Sequence, residues 1–305
     1  MEEKRCGIVS IVGRPNVGKS TLLNCLLGEK VSIVSKVPQT TRFQVRGIYN
    51  DGRGQIIFID TPGLHLGKDK LDAFMNKSSL ETLPGADCII YLVDTSRKIG
   101  LEEENIVQKL KLVRRPVILG LNKVDLKARY IPEYLALWEK ARGKKINEMK
   151  NFTLVAISGK DGINTDKLLE IVFDYLPAGP LLYPSDTISD TPRKMVIADI
   201  IREKFLSIVR EEVPHSLAVQ IEEIRPGGRK ILYLKAVVLV QRDTQKEIVI
   251  GKGGENLKRT GTSARAELEK LLEQKIYLEL FVKAKKDWRD NPSLLEDLGY
   301  DPKSI

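Results

Sequence analysis

Apolar and polar positions divide this 305-residue chain into two unlike halves. In the first, short continuous apolar runs alternate with longer stretches of helical spacing. Runs at 6–12, 43–49, 55–59, 87–93, 116–121 and 152–157 read as strands. Helical patterns fall at 21–27, 101–114, 131–149 and 164–175, and 64–86 is polar and partly helical. Asn50-Asp51-Gly52-Arg53-Gly54 is a turn, so the second and third strands form a hairpin. Continuous apolar strands between helices predict a mostly parallel six-stranded sheet with helices on both faces. The hairpin supplies one antiparallel edge. Residues 29–42 have weak periodicity and a proline, and read as loop.

Residues 176–194 carry four prolines and little periodicity, as a linker would. Beyond them the order changes. A helix at 195–212, ended by Val213-Pro214-His215, leads to strands at 217–224 and 230–240 joined through Pro226-Gly227-Gly228. A short segment reaches Gly251, a helix runs over 255–273, and 276–282 closes as a strand. This α-β-β-α-α-β order predicts a second, smaller α+β domain. The expected division is 1–178, a linker at 179–194, a second domain at 195–284 and a short, loosely docked tail at 285–305.

The first chemistry lies in the loop after the first strand, Gly13-Arg14-Pro15-Asn16-Val17-Gly18-Lys19-Ser20, with Thr21 opening the next helix. This is G-x-x-x-x-G-K-S between strand and helix. The glycines let successive N–H groups point inward, and with the helix N-terminus they make an anion site. Lys19 brings a positive charge to the β- and γ-phosphates, and the Ser20 hydroxyl is a hard oxygen ligand for Mg²⁺. The other motifs each follow a strand, which puts them on one edge of the sheet. Asp60-Thr61-Pro62-Gly63 places a carboxylate near the Mg²⁺ shell and a glycine whose N–H can approach a γ-phosphate. In Asn122-Lys123-Val124-Asp125, the Asp125 carboxylate can accept two hydrogen bonds from guanine, a pairing adenine does not offer. Asn122 can reach the base and brace the phosphate loop, the Lys123 stem can lie over the ring, and a backbone N–H of Ser158-Gly159 can meet guanine O6.

With these motifs the first 180 residues resemble the translation-factor-like GTPases, and within them the Era/EngA/TrmE group. The resemblance implies an α/β P-loop GTPase domain. It also implies a threonine before the hairpin that closes over Mg²⁺, here Thr41 with Thr40 as the alternative. The last motif usually reads Ser-Ala, and this chain has Ser158-Gly159. Leu64 follows Gly63 where Ras-like proteins carry a water-orienting glutamine, so water must be positioned otherwise. In several relatives an Asn at the position of Asn16 ligates K⁺, which implies a K⁺ site near the transferring phosphoryl group. Lys19, Asn16, Thr41 and Gly63 are therefore the candidate catalytic residues, with Ser20, Thr41 and Asp60 around the metal. Unassisted hydrolysis is expected to be slow, on the order of 10⁻⁴ to 10⁻² per second.

In the second half, Ile250-Gly251-Lys252-Gly253-Gly254 before a helix, with Lys258-Arg259 after it, resembles a type II KH domain. Its glycines admit the sugar–phosphate of about four unpaired nucleotides, while Lys252, Lys258, Arg259 and Arg265 add charge. A GTPase module followed by a type II KH module resembles the Era-type GTPases over nearly the whole chain. That resemblance implies a GTP-driven switch that binds the 3′ end of 16S ribosomal RNA and acts in assembly of the 30S subunit. It implies a cytoplasmic monomer with peripheral membrane association. Two alternatives stay open: a constitutive RNA binder with a structural nucleotide site, and a membrane-associated signalling GTPase.

Composition modifies this picture little. The net charge of +9 suggests a polyanionic partner. It is unevenly spread: residues 1–180 carry 28 basic against 21 acidic side chains, the remainder 22 against 20, so any RNA surface in the second half is a local patch. Cys6, Cys25 and Cys88 have neither disulfide nor zinc spacing. His65 and His215 read as solvated or capping residues, and Trp138 and Trp288 as packing residues. The basic run 283–289 reads as either a solvated face or an extra RNA contact.

Overall fold

The computed structural model describes residues 3–65, 67 and 69–300. In the first half, β1 (Arg5–Val12), β2 (Val45–Asp51), β3 (Gly54–Asp60), β4 (Cys88–Asp94), β5 (Val117–Asn122) and β6 (Phe152–Ala156) form one sheet in the order β2-β3-β1-β4-β5-β6. Only the β2–β3 pair is antiparallel. Helices α1 (Lys19–Leu27), α2 (Lys70–Gly85), α3 (Leu101–Leu110), α4 (Ile131–Arg142) and α5 (Thr165–Tyr175) cover both faces. Every residue of β4 is buried, as a continuous apolar run between two helical layers requires. The helix expected over 131–149 stops at Arg142, because Gly143 adopts a left-handed conformation and caps it.

The second half builds α6 (Arg193–Leu206), α7 (Val213–Ser216), β7 (Ala218–Pro226), β8 (Ile231–Val240), α8 (Asp243–Ile250), α9 (Glu255–Leu271) and β9 (Lys275–Ala284). The sheet runs β7-β8-β9, with β7–β8 antiparallel and β8–β9 parallel. The helix expected to reach residue 212 ends at Leu206. The chain turns there so that Val209 can enter the domain's core, and the one-turn α7 follows.

The proline-rich linker is packed on the first domain, and the expected loose docking of the tail needs correction. The linker lies along the outer edge of β2, where Ile48 N–H donates to the Ile188 carbonyl (2.8 Å) and Ser189 Oγ to the Arg46 carbonyl (2.7 Å). The Gln55 side chain accepts from Leu182 and Tyr183 N–H at 2.8 and 3.0 Å. An otherwise bare strand edge is thereby covered. The tail, as far as it is described, is not loosely docked. Trp288 is fully buried, and Leu295 of α10 (Pro292–Asp297) and Tyr300 join a core that includes Phe43, Phe74 and Met75. Trp288 Nε1 donates to the Ser216 carbonyl at 2.8 Å. One aromatic ring outweighs the charged residues before it, because burying a Trp removes so much apolar surface from water. Residues 301–305, also assigned to the tail, lie outside the described residues. Among the described residues no helix is long and apolar enough to cross a membrane.

Candidate functional site: a nucleotide cleft beside an RNA-type loop

The phosphate loop is held from several sides. Gly18 has φ +100°, and a Cβ there would stand 2.6 Å from Asn122 Nδ2. That same amide donates to the Val17 carbonyl at 2.7 Å. Lys123 Nζ donates to the Asn16 carbonyl (2.8 Å) and pairs with Asp94 (2.7 Å). Arg14 forms an ion pair with the buried Glu103 at 2.6 Å. Asn16 has φ +63°, and its Nδ2 donates to the Lys36 carbonyl at 2.8 Å. Lys19 is buried, with Nζ 3.2 Å from the Gly13 carbonyl oxygen and 3.1 Å from that of Arg14. Burial lowers its pKa to about 8, against the opposing charges of Asp60 and Glu102.

Beside the loop, Asp60 is fully buried at the end of β3. Its Oδ2 accepts from Ser20 Oγ (2.6 Å), Ser32 Oγ (3.0 Å) and Thr41 Oγ1 (3.4 Å), and Ser20 Oγ lies 2.9 Å from Thr41 Oγ1. Its Oδ1 has no partner among the described residues. Burial pushes this carboxyl above the usual range despite the Lys19 charge. An unsatisfied buried carboxylate oxygen among hydroxyls is a donor set suited to a hard, oxygen-preferring cation. Thr40 turns away and bonds the Val37 carbonyl (2.6 Å), so of the two threonines Thr41 is the one that faces this cluster. Ser32 was not anticipated, since nothing in its loop context marks it.

Gly63 lies against the phosphate loop, where a Cβ would be 2.6 Å from Pro15 N. Leu64 is buried and its N–H donates to the Gly13 carbonyl at 3.2 Å. Thr61 and Pro62 bind the scaffold: Thr61 Oγ1 donates to the Ile11 carbonyl (2.8 Å), and the Pro62 carbonyl accepts from Ser79 Oγ (2.6 Å). Thr21 lines the cleft with Lys19, Ser20 and Gln39.

At the base end, Asp125 is exposed and its Oδ1 accepts from Ser158 Oγ at 2.7 Å. Asn122 Oδ1 accepts from Gly159 N–H (2.9 Å), and Ser158 N–H donates to the Ile163 carbonyl (3.2 Å). Both amides expected to meet guanine O6 are thus already engaged, and such a contact would share one of them. A Cβ at Gly159 would stand 3.1 Å from Leu22 Cα, so the Ala of the usual Ser-Ala would require α1 to give by a few tenths of an ångström.

The loop 29–42 is tied to the second domain by contacts that no local pattern announced. Lys30 pairs with Glu203 (2.5 Å) and Glu267 (2.6 Å), and Val34 N–H donates to Glu203 (2.9 Å). Arg202 donates to the Thr40 carbonyl, and Arg42 Nη1 to the Leu217 carbonyl at 2.8 Å. His65, read as a solvated or capping residue, is half-buried and bonded: Nδ1 donates to the Gly63 carbonyl (2.8 Å) and Nε2 lies 3.1 Å from Asp72. Burial opposes its charged form. The hydrogen bonds to Asp72 and Gly63, with the Asp72 charge, outweigh that and raise its pKa. Arg289 of the tail pairs with Asp69 (2.5 Å) and Asp72 (3.0 Å).

The second glycine loop differs in character. Gly251, Gly253 and Gly254 have φ +74°, +60° and +80°, and nothing lies within 4 Å of a Cβ built at the last two. Lys252, Lys258 and Arg259 are exposed. The loop opens onto a groove of about 340 Å³ whose walls include Gly254, Lys258, Gly261, Arg265, Leu278 and Leu280. Gly261 and the β9 leucines were missed, although the Gly261 position in an otherwise helical stretch was a readable sign of close approach. Ile250 packs against the domain core and does not line the groove.

Comparison with known proteins agrees with this geometry. Residues 8–123 match a family described as 50S ribosome-binding GTPase, and residues 212–289 match the KH domain family. GTPase Era of Halothermothrix orenii is 43% identical, covering 97% of this chain and 98% of the relative. GTPase Era of Heliobacterium modesticaldum is 45% identical, covering 99% of each. A crystal structure of Era with MgGDPNP and nucleotides 1506–1542 of 16S ribosomal RNA superposes with a TM-score of 0.91 at 41% identity, covering 97% of this chain and 99% of that one. A tyrosine-to-alanine variant of Aquifex aeolicus Era bound to GDP·AlF₄⁻ superposes at 0.89 with 42% identity and the same coverage. The chain belongs to the Era family of GTPases.

Proposed function

We propose that the chain is a slow GTP-hydrolysing switch that binds single-stranded RNA at the 3′ end of 16S ribosomal RNA and acts in 30S subunit assembly. The observation that carries this reading is the full-length likeness to an Era crystallised with MgGDPNP and that RNA, joined to a cleft and a loop of matching chemistry in this chain. Gly13 to Thr21 cradle the phosphates, with Lys19 supplying charge. Ser20, Thr41 and Asp60 are the residues that would hold Mg²⁺, which neutralises charge on the β- and γ-phosphates when bound. Gly63 directs its N–H toward the γ-phosphate, and Leu64 leaves water positioning to other groups. Asn122, Lys123, Asp125 and the Ser158-Gly159 turn select guanine. The Oδ1 of Asn16, whose Nδ2 is committed to the Lys36 carbonyl, is the atom for K⁺.

On the RNA side, the bared Gly251–Gly254 backbone takes phosphates, and the groove beside α9 takes bases. The natural division remains 1–178 for GTP binding and 179–194 as connector. The KH domain is 195–284, with α6 starting two residues early, and 285–305 is a docked tail. The reading is of a cytoplasmic monomer. Its net charge of +9 favours peripheral contact with an anionic membrane surface.

Coupling requires RNA affinity to differ between nucleotide states. The decisive experiment crosslinks the protein to ribosomal RNA in its GTP-analogue and GDP forms, with Gly254→Asp as control. Stronger crosslinking to the 16S 3′ end with the analogue is expected. Equal crosslinking in both forms would remove the switch.

A further inference from the structure

Thr41 stands in a segment, residues 29–42, that belongs to no helix or strand, so no ladder of backbone hydrogen bonds fixes its position. It is instead bracketed by two arginine contacts that cross to the KH domain. On one side, the Arg202 guanidinium of α6 donates to the carbonyl of Thr40. The same guanidinium holds Asp199 Oδ1 through Nε at 3.0 Å and Nη2 at 2.8 Å, and Arg202 is 1% exposed. On the other side, Arg42 is also buried and reaches the carbonyls of Leu217 (2.8 Å) and His215 (3.2 Å) at the end of α7. Its guanidinium lies 5.7 Å over the Trp288 ring. Between these anchors the Thr41 hydroxyl points at Ser20 and Asp60.

We infer that Arg202, a KH-domain side chain, is a positioning residue for GTP hydrolysis: through the Thr40 carbonyl it sets where the Thr41 hydroxyl stands in the nucleotide cleft. The inference rests on the reading of Thr41 as a metal-facing hydroxyl. The residue type fits the task. A planar guanidinium can serve Asp199 and a backbone carbonyl together in fixed directions, which an ammonium cannot. If Arg202 served only to neutralise Asp199, no donor would need to reach the opposite domain.

The test uses the full chain and single-turnover GTP hydrolysis titrated with Mg²⁺. Arg202→Lys keeps the charge beside Asp199 but loses the fork. It is expected to raise the Mg²⁺ concentration for half-maximal rate about tenfold, the scale of one hydrogen bond to a charged group. GDP affinity, which does not draw on Thr41, stays within about twofold and reports intact folding of the cleft. Thr41→Ala should shift the same titration at least as far, and adding Arg202→Lys to it should cost nothing more, because both changes remove one effect. A slower rate with an unchanged Mg²⁺ titration in Arg202→Lys, or full additivity of the two substitutions, overturns the positioning role while leaving Thr41's own role standing. An unchanged titration in Thr41→Ala refutes the Thr41 reading, and this inference falls with it. If Arg202→Lys does not fold, the paired Asp199→Asn, Arg202→Gln variant removes the ion pair without leaving a lone charge and is judged by the same outcomes.

Discussion

Two glycine loops in this molecule each precede a helix, and each is suited to phosphate, yet they are built in opposite ways. The loop at 13–18 is buried and stapled: Asn122, Lys123 and Glu103 all reach into it from other strands and helices. Its lysine is buried as well. The loop at 251–254 is bare, its lysine is exposed, and its bracing is local: Gly251 N–H donates to the Glu247 carbonyl at 2.8 Å and Asn256 Nδ2 to the Ile248 carbonyl at 2.9 Å. Preorganised charge in a dry site acts strongly on developing charge and costs no reorganisation when it is used. A loop that meets a long polyanion gains instead from open backbone and solvated charges, whose attraction is spread and sensitive to salt. The contrast separates a site for chemistry from a site for capture.

The largest effect is expected where the stapled loop loses its charge. Lys19→Ala should slow hydrolysis on the order of 10²- to 10³-fold, the range seen when one preorganised donor is removed. RNA affinity measured without nucleotide should stay as it is, because Lys19 lies in the other domain. If that RNA affinity collapses too, the two loops are not the separate devices described above. Next comes the bare loop. Gly254 has open space around it but φ +80°, so Gly254→Asp strains the loop locally and sets a carboxylate where RNA phosphates approach. RNA affinity is expected to drop about 10- to 100-fold, with GTP hydrolysis unaffected, in a filter-binding assay run beside a phosphate-release assay.

How much of this was legible beforehand follows from where the information sits. The four nucleotide motifs and the Gly-Lys-Gly-Gly loop are contiguous, so their chemistry could be read from a few neighbouring residues. The parallel sheet was legible because buried strands must be apolar throughout, as β4 is. Ser32, Arg42, Arg202 and Arg289 were not legible. Each is one polar residue among many, and its partner lies on another element: Arg202 reaches Thr40 across 162 positions, and Arg289 reaches Asp72 across 217. Trp288 was legible as a packing residue, but the docking of its tail was not, because the groups around it, the Ser216 carbonyl and the Arg42 guanidinium, lie far off in the sequence.

A smaller effect follows from the buried lysine. Because burial lowers its pKa to about 8, the free protein gives up the Lys19 proton as pH rises past that value. Bound phosphates favour the charged form, so binding above pH 8 must draw a proton from solution. The sign is therefore a loss of GTP affinity with rising pH, by up to about tenfold per unit beyond pH 8, for one linked proton. Calorimetric titrations in buffers of different ionisation enthalpy measure the proton uptake directly. Uptake at pH 9 that equals uptake at pH 7 would show that the ammonium is not the linked group.

The smallest effect distinguishes how the bare loop holds RNA. Lys252 is exposed and carries no ion pair among the described residues. Its substitution leaves no buried charge behind and should cost little stability. For single strands, each neutralised phosphate contributes about 0.7 to the slope of log affinity against log salt. Lys252→Ala should therefore weaken RNA binding only a few-fold near physiological salt while making the slope shallower by about that amount. The same loss should appear for matched and mismatched RNA sequences, since a phosphate contact carries no base information. A substitution at the groove wall, such as Leu280→Ala, should do the reverse: it lowers discrimination between sequences and leaves the salt slope in place. If Lys252→Ala changed sequence preference and not the slope, the loop would be reading bases, and its likeness to the phosphate loop of the first domain would end at the glycines.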